Sequence, residues 1–148
     1  MAAACLITLP GEAWPLRHKA EIEAWAEKEE LAEQERLDTR ADLNKAVRVV
    51  ESFNERGIFY FNTKLLPIKW QDITEEKFVE VASETERFIT RYMAMVDQLE
   101  YALQRANKLK MWIFKEIELL EDANKTVEIW MDQMKQLRKW QTDNFGQV

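Results

Sequence analysis

The sequence predicts an all-α protein whose second half is one long coiled-coil helix. Glycine and proline are scarce, with three of each among 148 residues, and residues 74–145 contain neither. Sheet proteins need such turn residues at short intervals. Hydrophobic residues make up 47% and charged residues 32% of the chain, a balance that suits amphipathic helices and is too apolar for a disordered chain. The third observation is a heptad repeat in the second half.

The N-terminal segment, residues 1–15, is predicted to be an extended arm. Pro10-Gly11 is a turn signal, and Pro15 suits the first position of a helix. We therefore expect the first helix to begin near residue 16.

The first helix is predicted over residues 16–56, with Gly57 as its C-terminal stop. Residues 27–42 are mostly charged or alanine, whereas residues 43–53 carry an apolar stripe at spacings of three and four. Like charges lie four residues apart at Glu23/Glu27, Glu29/Glu33, Arg36/Arg40 and Asp38/Asp42. Either the acidic face of residues 21–42 is simply solvated, or a basic partner surface neutralises it.

Residues 57–73 are predicted to form a linker, which is unusually apolar. Loops are normally polar because they run over the surface. Phe59, Phe61 and Trp70 therefore either fold into a core or anchor another chain, and Ile58–Phe61 also fits a short strand.

The heptad repeat begins at Phe78 and alternates spacings of three and four over nine repeats. Position a reads Phe78, Thr85, Tyr92, Leu99, Ala106, Ile113, Leu120, Val127 and Met134. Position d reads Val81, Phe88, Met95, Ala102, Leu109, Glu116, Ala123, Trp130 and Leu137. Such a sustained repeat predicts a helix of about 68 residues over 74–142, followed by a short tail at 143–148. Position e is also largely apolar, which indicates contact with more than one other helix.

The two predicted helices have unequal lengths. At about 1.5 Å per residue, the second reaches about 100 Å and the first about 60 Å, so a simple hairpin leaves the apolar stripe near residues 115–141 uncovered. Another chain is expected to cover it. The alternative is a three-helix bundle in which the chain breaks near Asp122 and folds back.

The predicted partner interface combines aromatic residues of the apolar linker with apolar residues of the second helix. They are Phe59, Phe61, Trp70, Trp112, Val127, Trp130, Met131, Met134, Leu137 and Trp140.

Residues that carry chemistry are few. His18 is the one histidine and Cys5 the one cysteine, so we expect no metal, catalytic or cofactor site. Glu116 is the one carboxylate at positions a and d of the heptad repeat. It is expected to set helix register or to pair with a Lys or Arg of a neighbour. The net charge of −6 argues against nucleic acid as a partner. Nor is a membrane or a small-molecule substrate expected.

These patterns predict a non-enzymatic structural or adaptor subunit that binds other helical chains as a homo- or hetero-oligomer. A reducing, cytoplasmic compartment is expected from the single cysteine, and the cytoskeleton or a filament is the expected setting. The alternative is a small acidic inhibitor or regulator that occupies a basic site on an enzyme or a nucleic-acid-binding protein.

Overall fold

The computed structural model describes residues 13–146, with side chains from residue 18 onward. Within that range 91% of the residues are helical and none is in a strand, so the all-α prediction is confirmed there. The helices are α1 (Ala13–Tyr60), α2 (Glu75–Lys108) and α3 (Phe114–Phe145), with a π-helix at Phe61–Leu65 and a 3₁₀-helix at Trp70–Asp72. Most of the predicted arm, residues 1–12, lies outside the described residues, as do residues 147–148.

Gly57 does not end the first helix, contrary to the sequence prediction, and α1 continues to Tyr60. A Cβ at Gly57 would lie 2.5 Å from Cη2 of Trp130, so this glycine allows an indole ring to approach the backbone. Residues 58–61 are helical rather than a strand. Helical structure ends shortly before Pro67, which has no N–H to extend it.

The N-terminus of α2 is stabilised by a side-chain cap and by acidic residues. Thr74 is the N-cap, and its hydroxyl oxygen accepts a hydrogen bond from the Lys77 N–H at 3.2 Å. Glu75 and Glu76 occupy the first turn, where carboxylates interact favourably with the helix dipole.

The predicted 68-residue helix is wrong, because the chain turns between α2 and α3. The turn is a Schellman motif: the Met111 N–H donates to the Ala106 carbonyl and the Lys110 N–H to the Asn107 carbonyl, both at 3.0 Å. Lys110 supplies the left-handed residue, with φ 55°, where glycine is usual. The alternative break near Asp122 was also misplaced, since Asp122 lies inside α3.

The described chain divides into two compact units after Asp38. In the second unit α2 runs antiparallel to α1 and to α3. Asn54 of α1 accepts a hydrogen bond from Tyr92 of α2, while Phe88 of α2 packs on Trp130 of α3 at 5.7 Å between ring centroids. The main core comprises Leu43, Val50, Phe53, Tyr92, Val96, Leu99, Ala102, Leu103, Ala106, Ile113 and Ala123.

In the first unit, the α1 side chains of residues 18–38 are largely exposed. Its ion pairs are local, such as Arg36 with Glu33 at 2.9 Å. Four large apolar residues are more than half exposed: Ile22, Trp25, Leu31 and Leu37.

Candidate protein-binding groove

An apolar groove of about 430 Å³ lies in the second unit, between the segment that follows α1 and the C-terminal half of α3. It is lined by Phe61, Leu65, Leu66, Trp70, Gln133, Gln136, Leu137 and Trp140. We call it the aromatic groove. None of its lining residues ionises, so the groove suits the burial of apolar side chains rather than acid–base chemistry.

Stacked rings form one side of the aromatic groove. Trp140 stacks on buried Phe78 at 5.1 Å between centroids, and Trp70 packs edge-on against Trp140 at 5.7 Å and Phe78 at 6.0 Å. Phe145 adds an edge contact to Trp140 at 5.4 Å. Edge-on and offset ring pairs are favourable beyond the area they bury, so the indoles are held in place before any ligand arrives.

The opposite side is more exposed. Leu66 is 66% and Phe61 40% exposed, and neighbouring Ile58 and Phe59 are 63% and 69% exposed. The charged residues between positions 57 and 71 are all lysines, at 64 and 69. The segment that forms this side of the groove therefore carries exposed apolar side chains and two lysines.

A smaller cavity beneath the groove, about 40 Å³, reaches Gly57, Tyr60 and Thr85. The Thr85 hydroxyl donates to the Val81 carbonyl at 2.8 Å, so in the 2.9 Å contact between the two hydroxyls Tyr60 is the donor. Burial raises the pKa of the Tyr60 phenol above its usual 10.0, and the hydroxyl therefore keeps its proton at neutral pH. This bond joins α1 to α2 below the groove.

The structure brings four of the ten predicted interface residues together in the aromatic groove: Phe61, Trp70, Leu137 and Trp140. Phe59 is exposed near it, while Trp112 and Met131 are exposed at other places. Val127 and Trp130 pack against the main core, and Met134 is 7% exposed.

The reason for assigning Trp130 and Met134 to a partner is corrected by the fold. In a hairpin with one long second helix, α1 would be too short to cover the far end of that helix. Because the chain turns at residues 109–113, α3 lies against α2 instead, and Trp130 packs on Tyr92 at 4.8 Å between centroids. Trp130 and Met134 therefore have cover within their own chain.

Sequence reasoning missed four groove residues: Leu65, Leu66, Gln133 and Gln136. The two leucines belong to the apolar 57–73 segment, whose unusual composition was the available signal. The glutamines gave no signal, because only the approach of two distant segments makes them part of a groove.

A polar cluster joins the three helices at the other end of α2. Arg40 of α1 pairs with the Glu116 carboxylate of α3 at 3.0 Å and donates to the Trp112 carbonyl at 2.7 Å. Arg105 of α2 binds Asp42 at 2.9 Å and the buried Thr39 hydroxyl at 3.2 Å. Glu116 thus pairs with a neighbouring helix, and two charges of the like-charge pattern, Arg40 and Asp42, have partners on other helices.

Residues 13–146 contain no group of three or more His, Cys, Asp or Glu side chains that would hold a metal ion. None of the helices in that range is both long and apolar enough to cross a membrane.

Comparison with known proteins adds no relative. No family model matches the chain, and neither a curated protein nor a solved structure matches it.

Proposed function

We propose that this chain is a non-enzymatic structural or adaptor subunit of a larger protein assembly, and that the aromatic groove binds a helix of a partner chain. The observation that carries the proposal is the groove itself, with ordered indoles at positions 70 and 140, no ionisable lining residue, and exposed Leu66 at its border.

The residues that line the groove favour a protein as its ligand. Exposed apolar residues that lie together on a surface commonly mark interaction sites. Interface hot spots are enriched in tryptophan held in well-packed surroundings, as Trp70 and Trp140 are here. An amphipathic helix places apolar side chains three and four residues apart into such grooves. A cytoplasmic assembly of the cytoskeleton or a filament is the setting we propose.

The test compares two leucines with the same exposure. Leu66 borders the groove and Leu31 lies in the first unit, and both are 66% exposed. We expect Leu66→Glu to abolish recovery of the partner from the native source, while Leu31→Glu retains it. A photo-crosslinking benzoylphenylalanine at position 61 should attach to the same partner. If both variants recover the same proteins and position 61 forms no crosslink, the groove is not the binding site.

A second candidate function rests on the first unit. Glu27, Glu29, Glu30 and Glu35 of α1 are exposed, and this acidic surface would suit an inhibitor or regulator that occupies a basic site. Binding through these carboxylates should weaken steeply as salt rises, whereas apolar binding in the aromatic groove should not.

A further inference from the structure

Two exposed aromatic rings lie where the chain passes from α2 to α3. Trp112 is 80% exposed and Phe114 62% exposed, and their rings meet edge to face at 4.8 Å between centroids. We call residues 108–115 the aromatic tip. Large exposed rings on so short a connection are not explained by the core or by the aromatic groove.

The aromatic tip is held in shape by the helices around it. The Schellman hydrogen bonds at Lys110 and Met111 set its backbone, and the Arg40 guanidinium binds the Trp112 carbonyl at 2.7 Å and the Glu116 carboxylate at 3.0 Å. A loop already ordered in this way loses little conformational freedom when it binds.

The free charges of the aromatic tip are positive. Lys108, Lys110 and Lys115 are exposed, and residues 105–115 contain no carboxylate. Two carboxylates beside the tip, those of Asp42 and Glu116, are paired with arginines. Exposed Glu118 opposes one of the three lysine charges.

We propose that the aromatic tip docks on an anionic membrane surface, with Trp112 and Phe114 in the interfacial layer and the three lysines on lipid phosphates. Tryptophan favours the membrane–water interface, and lysines near an anionic leaflet each add attraction. The cations of the tip without an ion-pair partner are all lysines, and a compact charge on a flexible side chain suits a fluid lipid surface. Arg40 and Arg105, whose planar guanidinium groups favour fixed partners, bind groups within the fold. This observation favours lipid over an acidic protein.

The charge close to the tip, rather than the net charge of the chain, governs such docking. Salt screens exposed charges beyond about 8 Å at physiological ionic strength, and α2, with its 34 residues, is about 50 Å long, so the carboxylates in the first turn of α2 act little on the tip. The proposal goes beyond the adaptor function and does not depend on the aromatic groove.

The test is co-sedimentation of the full chain with phosphatidylcholine vesicles that contain about 30% phosphatidylserine, a surface of the kind found on cytoplasmic leaflets. We expect binding that falls with added salt and is lost on pure phosphatidylcholine. Each change Lys108→Gln, Lys110→Gln or Lys115→Gln should lower the partition coefficient about fivefold. The double change Trp112→Ala with Phe114→Ala should lower it at least tenfold while the circular dichroism spectrum keeps its helix signal.

Matched controls lie on α1, where Trp25 is 64% exposed and Lys28 is exposed. Trp25→Ala and Lys28→Gln should leave vesicle binding unchanged. Equal losses from the tip variants and these controls would overturn the proposal, as would no vesicle binding at all. It would also be overturned if the chain ignored vesicles but bound poly-glutamate through Trp112, since the ligand would then be an acidic protein. Self-association lost with Trp112→Ala, without vesicle binding, would identify a second copy as the ligand.

Discussion

Single residues join the helices of the second unit in two different ways. Gly57 has no Cβ, and this allows an indole ring to pack against helical backbone. Arg40 instead contributes directional bonds to Glu116 and to the Trp112 carbonyl. The side chain of Glu116 is 20% exposed and that of Arg40 33%, so this ion pair is less solvated than the local pairs in the first unit.

Arg40→Ala should destabilise the protein more than Arg36→Ala. Removing Arg40 leaves a half-buried carboxylate and a carbonyl without their donor, which costs about 1–3 kcal/mol of unfolding free energy. Arg36 is the matched control, since its side chain is 37% exposed and its one ion-pair partner among residues 18–146 is Glu33 on the same helix. Its loss should cost less than about 0.5 kcal/mol. Urea denaturation of both variants measures the difference. Equal values would show that the pair between α1 and α3 contributes nothing.

Gly57→Ala tests the contact with Trp130. Alanine favours a helix over glycine by about 1 kcal/mol, but here the added Cβ would lie 2.5 Å from the indole, and overpacking of this kind costs about 1–3 kcal/mol. We expect net destabilisation in the natural chain. In a Trp130→Leu background the same change should become stabilising. The sign reversal, read from thermal or urea unfolding, is the diagnostic, and stabilisation in both backgrounds would exclude the packing explanation.

At the scale of elements, the feature that decides the topology is the five-residue connection between α2 and α3. Its terminating motif is built on a lysine, so the glycine that normally signals a helix stop is missing. The heptad repeat also stays in phase through the connection, because Ala106 before it and Ile113 at its end are both buried. Composition and periodicity therefore both predicted a continuous helix at the place where the backbone turns.

Lys110→Gly should stabilise the protein. A left-handed conformation costs an ordinary residue about 1–2 kcal/mol, and glycine at φ 55° avoids that cost, offset in part by the greater freedom of the unfolded chain. The matched control is Lys125→Gly, also exposed but within α3, which should lose about 1 kcal/mol. Changes of opposite sign in the free energy of unfolding, measured with denaturant, would support the turn at residue 110. Similar losses from both changes would indicate that residue 110 is helical.

At the scale of the whole molecule, the two units differ in how much they bury. The second unit has a continuous core in which each of the three helices contributes buried residues. In the first unit, residues 18–38 have mostly exposed side chains. Isolated helices are marginally stable in water, because most helix stability in proteins comes from tertiary packing.

Hydrogen exchange should separate the two units. We expect the amides of residues 18–38 to exchange at least tenfold faster than those of residues 43–53, although both belong to α1. Local opening is easiest where few apolar contacts hold an element. Mass spectrometry of deuterium uptake measures this, at several protein concentrations. Equal protection that persists on dilution would mean that residues 18–38 are stabilised by packing not seen in the described chain.

Local properties of the sequence determined much of this protein. Scarce glycine and proline made it helical, Thr74 set the start of α2, and the heptad positions identified most buried residues of α2 and α3. These features depend on neighbours within a turn or two of helix, which a sequence pattern contains.

Only the tertiary structure decided the topology and the sites. Whether residues 109–113 turn depends on a left-handed lysine and on the bonds that Arg40 makes from another helix. This turn determines whether Trp130 is covered by its own chain. It also determines whether Trp70 contacts Trp140 and so forms the aromatic groove. Contacts between residues 70 positions apart have no periodicity to reveal them, because their energy exists only when the segments meet.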